Sequence, residues 1–119
     1  FPMKYILPAR RSFQKMNDKL LGLLGIARRS GNLKIGFEAC DEAIKNGKAK
    51  LVLVASDTAA RTEKELRFSA KEKPIDIIRI DADKFTLSSA IGMSAGVVAT
   101  CDEGFSKRAT ELINQGGNL

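Results

Sequence analysis

The run Leu51-Val52-Leu53-Val54-Ala55, closed by Ser56-Asp57-Thr58, decides the fold. Five apolar residues in a row, with no polar alternation, are what a strand buried on both faces requires. The run is too short for a buried helix, and the three polar residues after it carry turn chemistry. A strand hidden on both faces needs cover on both, and helices are the usual cover.

Downstream, Thr62 and Glu65 form a capping-box pattern. It predicts a helix that starts near Thr62, buries Leu66 and Ala70, and stops before Pro74. Residues 75–80, with Ile75, Ile77, Ile78 and Ile80, predict a second strand. Asp83 is placed to cap a short helix through Ala90, and Gly92 and Gly96 bracket a loop. Val97-Val98-Ala99-Thr100 predicts a third buried strand, and Asp102 caps a last helix with Phe105, Ala109 and Leu112 on one face.

Upstream, residues 17–29 read as helix, with Leu20, Leu24 and Ala27 at helical spacing and Asn17 or Asp18 as the cap. Gly22 and Gly25 weaken this helix but admit a close neighbour. Ser30-Gly31-Asn32 ends it. Leu33 to Ile35 is a short edge strand, and the next helix starts at about Phe37, with Phe37, Cys40 and Ile44 on one face. Strands alternating with helices predict a largely parallel or mixed sheet inside a three-layer α/β domain spanning residues 16–119.

The 119 residues carry a formal charge of +6, and such a balance favours polyanions, above all nucleic acid. The excess is uneven. Residues 1–15 hold Lys4, Arg10, Arg11 and Lys15 and no acid, which leaves a net of +2 from Met16 onward. That segment reads as a non-domain extension, an upstream remnant ahead of a start at Met16. The other reading is a basic arm that clamps phosphates. No apolar run nears the ~18 residues that span a bilayer, so no membrane partner is expected. Two cysteines far apart, Cys40 and Cys101, form no disulfide framework, and the expected setting is cytoplasmic. Both read as packing residues.

Catalysis is not expected. The chain has no histidine, which removes the commonest general base and metal ligand. Gly31 and Gly36 have the spacing of a phosphate loop, but Phe37 and Glu38 stand where Lys and Ser or Thr are needed. A solvated helix face accounts for Asp41-Glu42, and a helix cap for Asp81 and Asp83. No cofactor, metal or small-molecule substrate is expected.

Two segments are candidates for binding. Gly36-Phe37-Glu38 joins a strand to a helix start, where unpaired amides and a positive dipole end can take a phosphate or a base edge. Lys34, with Arg28 and Arg29 close in sequence, is placed to add phosphate contacts. The plainer alternative is an ordinary strand-to-helix turn. The second segment is Ile91-Gly92-Met93-Ser94-Ala95-Gly96, where Ile91 and Met93 are apolar residues in a loop. They can cover an unstacked base, or they can tuck into the core.

Gly36-Phe37-Glu38-Ala39-Cys40-Asp41-Glu42-Ala43-Ile44, continuing through Asn46-Gly47 to Ser56-Asp57, resembles the central signature of the kink-turn-binding ribosomal protein superfamily. Leu87-Ser88-Ser89-Ala90-Ile91-Gly92 looks like its second signature. The opening from Leu21 through Ala27-Arg28-Arg29-Ser30-Gly31 is similar to its bacterial YlxQ-like branch. The resemblance runs from about residue 17 to 113. It implies an α/β/α sandwich around a four-stranded mixed sheet and binding of sharply bent RNA. It also assigns roles. Gly36, Phe37, Glu38 and Ala39 would read sheared G·A pairs, and Ile91, Gly92, Met93 and Ser94 would pack against an extruded nucleotide.

Glu38-Ala39 stands where the family usually has Asn-Glu, and Glu42 where it usually has Lys. An amide donates and accepts, whereas a carboxylate only accepts, and an acid repels phosphate. These departures imply a different structured RNA, ribosomal RNA among the candidates, or weaker affinity. The alternative function is a protein-interaction module that keeps the fold without the RNA site.

Overall fold

The computed structural model describes residues 18–117. The extension expected over residues 1–15, and the cap offered by Asn17, lie outside the described residues. Strand β2 (Leu51–Val54) is buried along its whole length, as its apolar run requires. Its side chains alternate between two cores. Leu51 and Leu53 face one, and Val52 and Val54 face the other. A fully buried side chain of this size stabilises by about 1.5–3 kcal/mol.

The sheet also holds β1 (Leu33–Ile35), β3 (Asp76–Arg79) and β4 (Val97–Thr100), in the order β1-β4-β2-β3. β4 runs antiparallel to both of its neighbours, and β2 and β3 are parallel. The sheet is therefore mixed, with β1 at one edge as its length suggests.

On one face lie α1 (residues 18–29), α4 (Lys84–Ile91) and α5 (Glu103–Gly117), through Leu20, Leu24, Leu87, Ile91, Ala109 and Leu112. The other face is covered by α2 (Phe37–Lys45) and α3 (Ala60–Ser69), through Cys40, Ala43, Ile44, Leu66 and Ala70. This is the α/β/α sandwich. No helix among the described residues is long and apolar enough to cross a membrane.

The helix caps fall largely where composition puts them. Asp83 accepts from the Thr86 amide at 2.8 Å, and Asp102 from the Phe105 amide at 2.9 Å. α3 is the exception. It starts at Ala60, two residues before Thr62, with Ala59 at its cap and no side-chain cap. The capping box goes unused because Glu65 pairs with Arg61 instead, at 3.2 Å. A tertiary clamp fixes the start. Arg79 Nη1 lies within donating distance of the carbonyls of Ala55, Ser56 and Thr58, at 3.1, 2.9 and 2.9 Å. This aims the chain out of β2 before the sequence signal is reached.

Cys40 is fully buried, and its Sγ donates to the Lys34 carbonyl at 3.5 Å. Burial, with Cys101 and Asp41 nearby, pushes its thiol up to about 12, so the group is inert at neutral pH. Cys101 is half-buried beyond the end of β4. Both are free thiols, and Cys40 in particular has the packing role its helix spacing implies.

Glu63 anchors the clamp. Its Oε2 accepts from Arg67 Nε at 2.9 Å and its Oε1 from Arg79 Nε at 2.9 Å. Arg67 first, then Arg79, hold its carboxyl below the usual 4.5. A carboxyl with a depressed folded-state pKa stabilises the fold above its unfolded value and loses that contribution as pH falls through the folded one. Stability should therefore drop on acidification below about pH 4.5, and Glu63→Gln should flatten that limb in urea titrations between pH 3 and 7. Arg79→Met should cost about 1.5–3 kcal/mol at pH 7, from lost charged hydrogen bonds.

Candidate nucleic-acid interface

Gly36 caps α2 with φ 94° and ψ 159°, a region open essentially to glycine alone. It brings no side-chain acceptor, so the first-turn amides of α2 have no side-chain cap, unlike those of α4 and α5. A Cβ placed on Gly36 would meet nothing within 4 Å, so the space beside it is clear. Glu38 is exposed, while Phe37 is half-buried, packed against the α2–α3 core. Phe37 thus offers its amide more than its ring.

The second segment begins where α4 stops. Gly92 caps α4 in the left-handed region, at φ 76°, and its amide donates to the Ser88 carbonyl at 2.8 Å. Ser88 then shapes the turn, its Oγ accepting from the Ala95 amide at 3.0 Å. The Gly96 carbonyl accepts from the Ala55 amide at 2.8 Å and from Thr58 Oγ1 at 3.0 Å. Met93 is 47% exposed, and Gly92 and Ser94 are exposed.

Ile91 is corrected. It belongs to α4 and not to the loop, and it is 2% exposed in the core. The α4 helix runs one residue past Ala90 because the left-handed turn at Gly92, not the last polar residue, ends it. Of Ile91 and Met93, only Met93 is exposed enough to meet a nucleotide.

The two segments adjoin. Ile35 pairs with Val98 across β1 and β4, and the Gly36 amide donates to the Val97 carbonyl at 2.9 Å. The start of α2 and the end of the 92–96 loop therefore lie side by side at one pole of the sheet. Lys34 is set apart. It lines a groove with Ala39, Glu42, Asn46 and Lys48, so it faces the flank of α2, beside an acid and a second lysine.

Tertiary packing adds two cations. A Cβ on Gly25 would lie 3.0 Å from the Ala90 carbonyl, so α1 and the end of α4 nearly touch. This carries Arg28 to the loop, where its Nη1 would be 3.2 Å from a Cβ on Gly92. At the other end, Lys84 Cε would be 3.0 Å from a Cβ on Gly96. Sequence proximity to Lys34 suggested Arg28. Nothing in the sequence signals Lys84, whose place depends on where α4 docks.

The fold and this pole define a class: small α/β/α sandwiches with a four-stranded mixed sheet, whose uncapped helix start adjoins a glycine-bracketed loop. The chain belongs to the ribosomal protein L7Ae/L30e/S12e/Gadd45 family, whose model matches residues 18–110. It is similar to the RNA-binding protein YlxQ of Enterococcus faecium, 32% identical over 96 residues that cover 81% of this chain and 92% of that one. It is also similar to the large ribosomal subunit protein eL30 of Yarrowia lipolytica, 28% identical over 93 residues, covering 76% and 85%. Among solved structures, a protein of unknown function from Bacillus halodurans superposes with a TM-score of 0.76 at 33% identity, covering 81% of this chain and 97% of that one.

The glycine geometry has a measurable cost. Gly36→Ala should lower stability by about 1–3 kcal/mol through backbone strain alone. Gly22→Ala, in α1 with open space around it, should raise stability by about 0.5–1 kcal/mol. Urea denaturation of both variants checks the contrast.

Proposed function

We propose that this chain is an RNA-binding protein of the ribosomal type, acting without catalysis. Its target is structured RNA with a kink or internal loop, with ribosomal RNA the first class to test. One observation carries the proposal: the hydrogen bond from the Gly36 amide to the Val97 carbonyl holds an uncapped helix start against an exposed loop. Amides of that kind take phosphates and base edges. An exposed methionine beside them gives an unstacked base an apolar surface. The relatives named for RNA binding and for the ribosome support the same assignment.

Gly36, Phe37, Glu38 and Ala39 form one half of the proposed surface, and Gly92, Met93 and Ser94 the other. Lys34 contributes at the margin. Glu38, Ala39 and Glu42 make the surface less favourable to sheared G·A pairs than the family's usual Asn, Glu and Lys. The preferred RNA is then bound through its bend and backbone more than through those pairs.

Gel shifts of the full chain should show a kink-turn oligonucleotide bound tighter than a matched RNA duplex and a DNA duplex, with affinity falling as salt rises. Glu38→Asn combined with Ala39→Glu should tighten kink-turn binding by about tenfold, the scale of one added charged or amide hydrogen bond. Equal affinity for kinked and duplex RNA at moderate salt would remove the proposal. Partners recovered after RNase treatment would favour the protein-interaction alternative.

A further inference from the structure

The surface just described is poor in positive charge. The loop Gly92-Met93-Ser94-Ala95-Gly96 has none, and the start of α2 brings an exposed acid, Glu38. Lys34 faces the flank of α2, among Ala39 and Glu42. A polyanion held here needs a cation from elsewhere in the fold.

The geometry points to Arg28 of α1 as that cation: we infer that its guanidinium binds a backbone phosphate of the RNA beside Gly92, a subsite built by α1 and α4 together. The inference rests on the RNA-binding assignment above.

Three observations carry it. First, α1 and α4 approach to backbone contact at Gly25 and Ala90, so the base of the Arg28 side chain is fixed by packing and not by a loop. Second, the guanidinium lies against Gly92, with Nη1 3.2 Å from the position of a Cβ; a side chain there would displace it. Third, Arg28 is exposed and forms no ion pair or side-chain hydrogen bond with any described residue. Five donors in a planar fork are thus left at the loop margin, which suits a phosphate.

A structural role competes. A cation at the end of α4 interacts favourably with the negative end of the helix dipole. That role predicts a stability change and no change in salt dependence, so the two separate cleanly.

The test compares full-length wild type, Arg28→Gln and Arg28→Lys on a kink-turn oligonucleotide at several salt concentrations, with thermal melts alongside. Arg28→Gln should weaken binding by about tenfold and lower the slope of log affinity against log salt by about 0.7–0.9, one phosphate contact. Arg28→Lys should keep most of the slope, because the charge remains. If Arg28→Gln has the wild-type slope, whatever its melting temperature, the inference is overturned while the RNA-binding assignment stands. If wild type shows no preference for the kinked RNA, both fall.

Discussion

Strand β4, with the carbonyls of its first residue and of the residue before it, bears the constraint on which the rest of the molecule depends. β4 pairs on both edges, so it joins β1 to β2 and completes the sheet. The carbonyls of Gly96 and Val97 then reach beyond the sheet. The first accepts from Ala55 and Thr58, and the second from Gly36. Three connections from three parts of the chain are thereby held at one pole. Arg79 secures the same turn from the β3 side, and Glu63 holds Arg79 in place. The proposed binding surface is the outer face of this knot of hydrogen bonds, which is why its two halves keep a fixed relation although neither contains a long rigid element.

Much of the fold could be read in the residues. Leu51 to Ala55 is buried on both faces, as an unbroken apolar run demands, and Asp83 and Asp102 cap the helices they precede. What escaped was set by contacts distant in sequence. Thr62 and Glu65 have the local pattern of a helix start, yet the chain leaves β2 under the hold of Arg79 and turns helical earlier. Ile91 reads as a loop residue because it precedes a glycine. The left-handed geometry at Gly92 instead lets the helix keep it, and the core takes its side chain.

The candidate site divides along the same line. Gly36 was visible because a glycine between a strand and a helix has few explanations, and the backbone angles supply one. Nearness in sequence offers Lys34 a phosphate contact, but alternation along β1 turns it toward the flank of α2, away from Leu33 and Ile35. Charge near the loop comes from Arg28 and Lys84, which belong to α1 and α4, both ahead of it in sequence. No spacing rule brings those residues to Gly92 and Gly96, since their positions follow from how α1 and α4 dock on the sheet.

The strand order also bears on how the molecule comes into being. β1 and β2 do not pair with each other; each pairs with β4, which leaves a ribosome after both of them. A nascent chain that ends before Val97 leaves β1 and one edge of β2 without their partner and the Gly36 amide without its acceptor. Such long-range closure is slow compared with local helix formation. The proposed RNA surface is therefore incomplete in every shorter intermediate, and any affinity it confers arises in one late step together with the completed sheet.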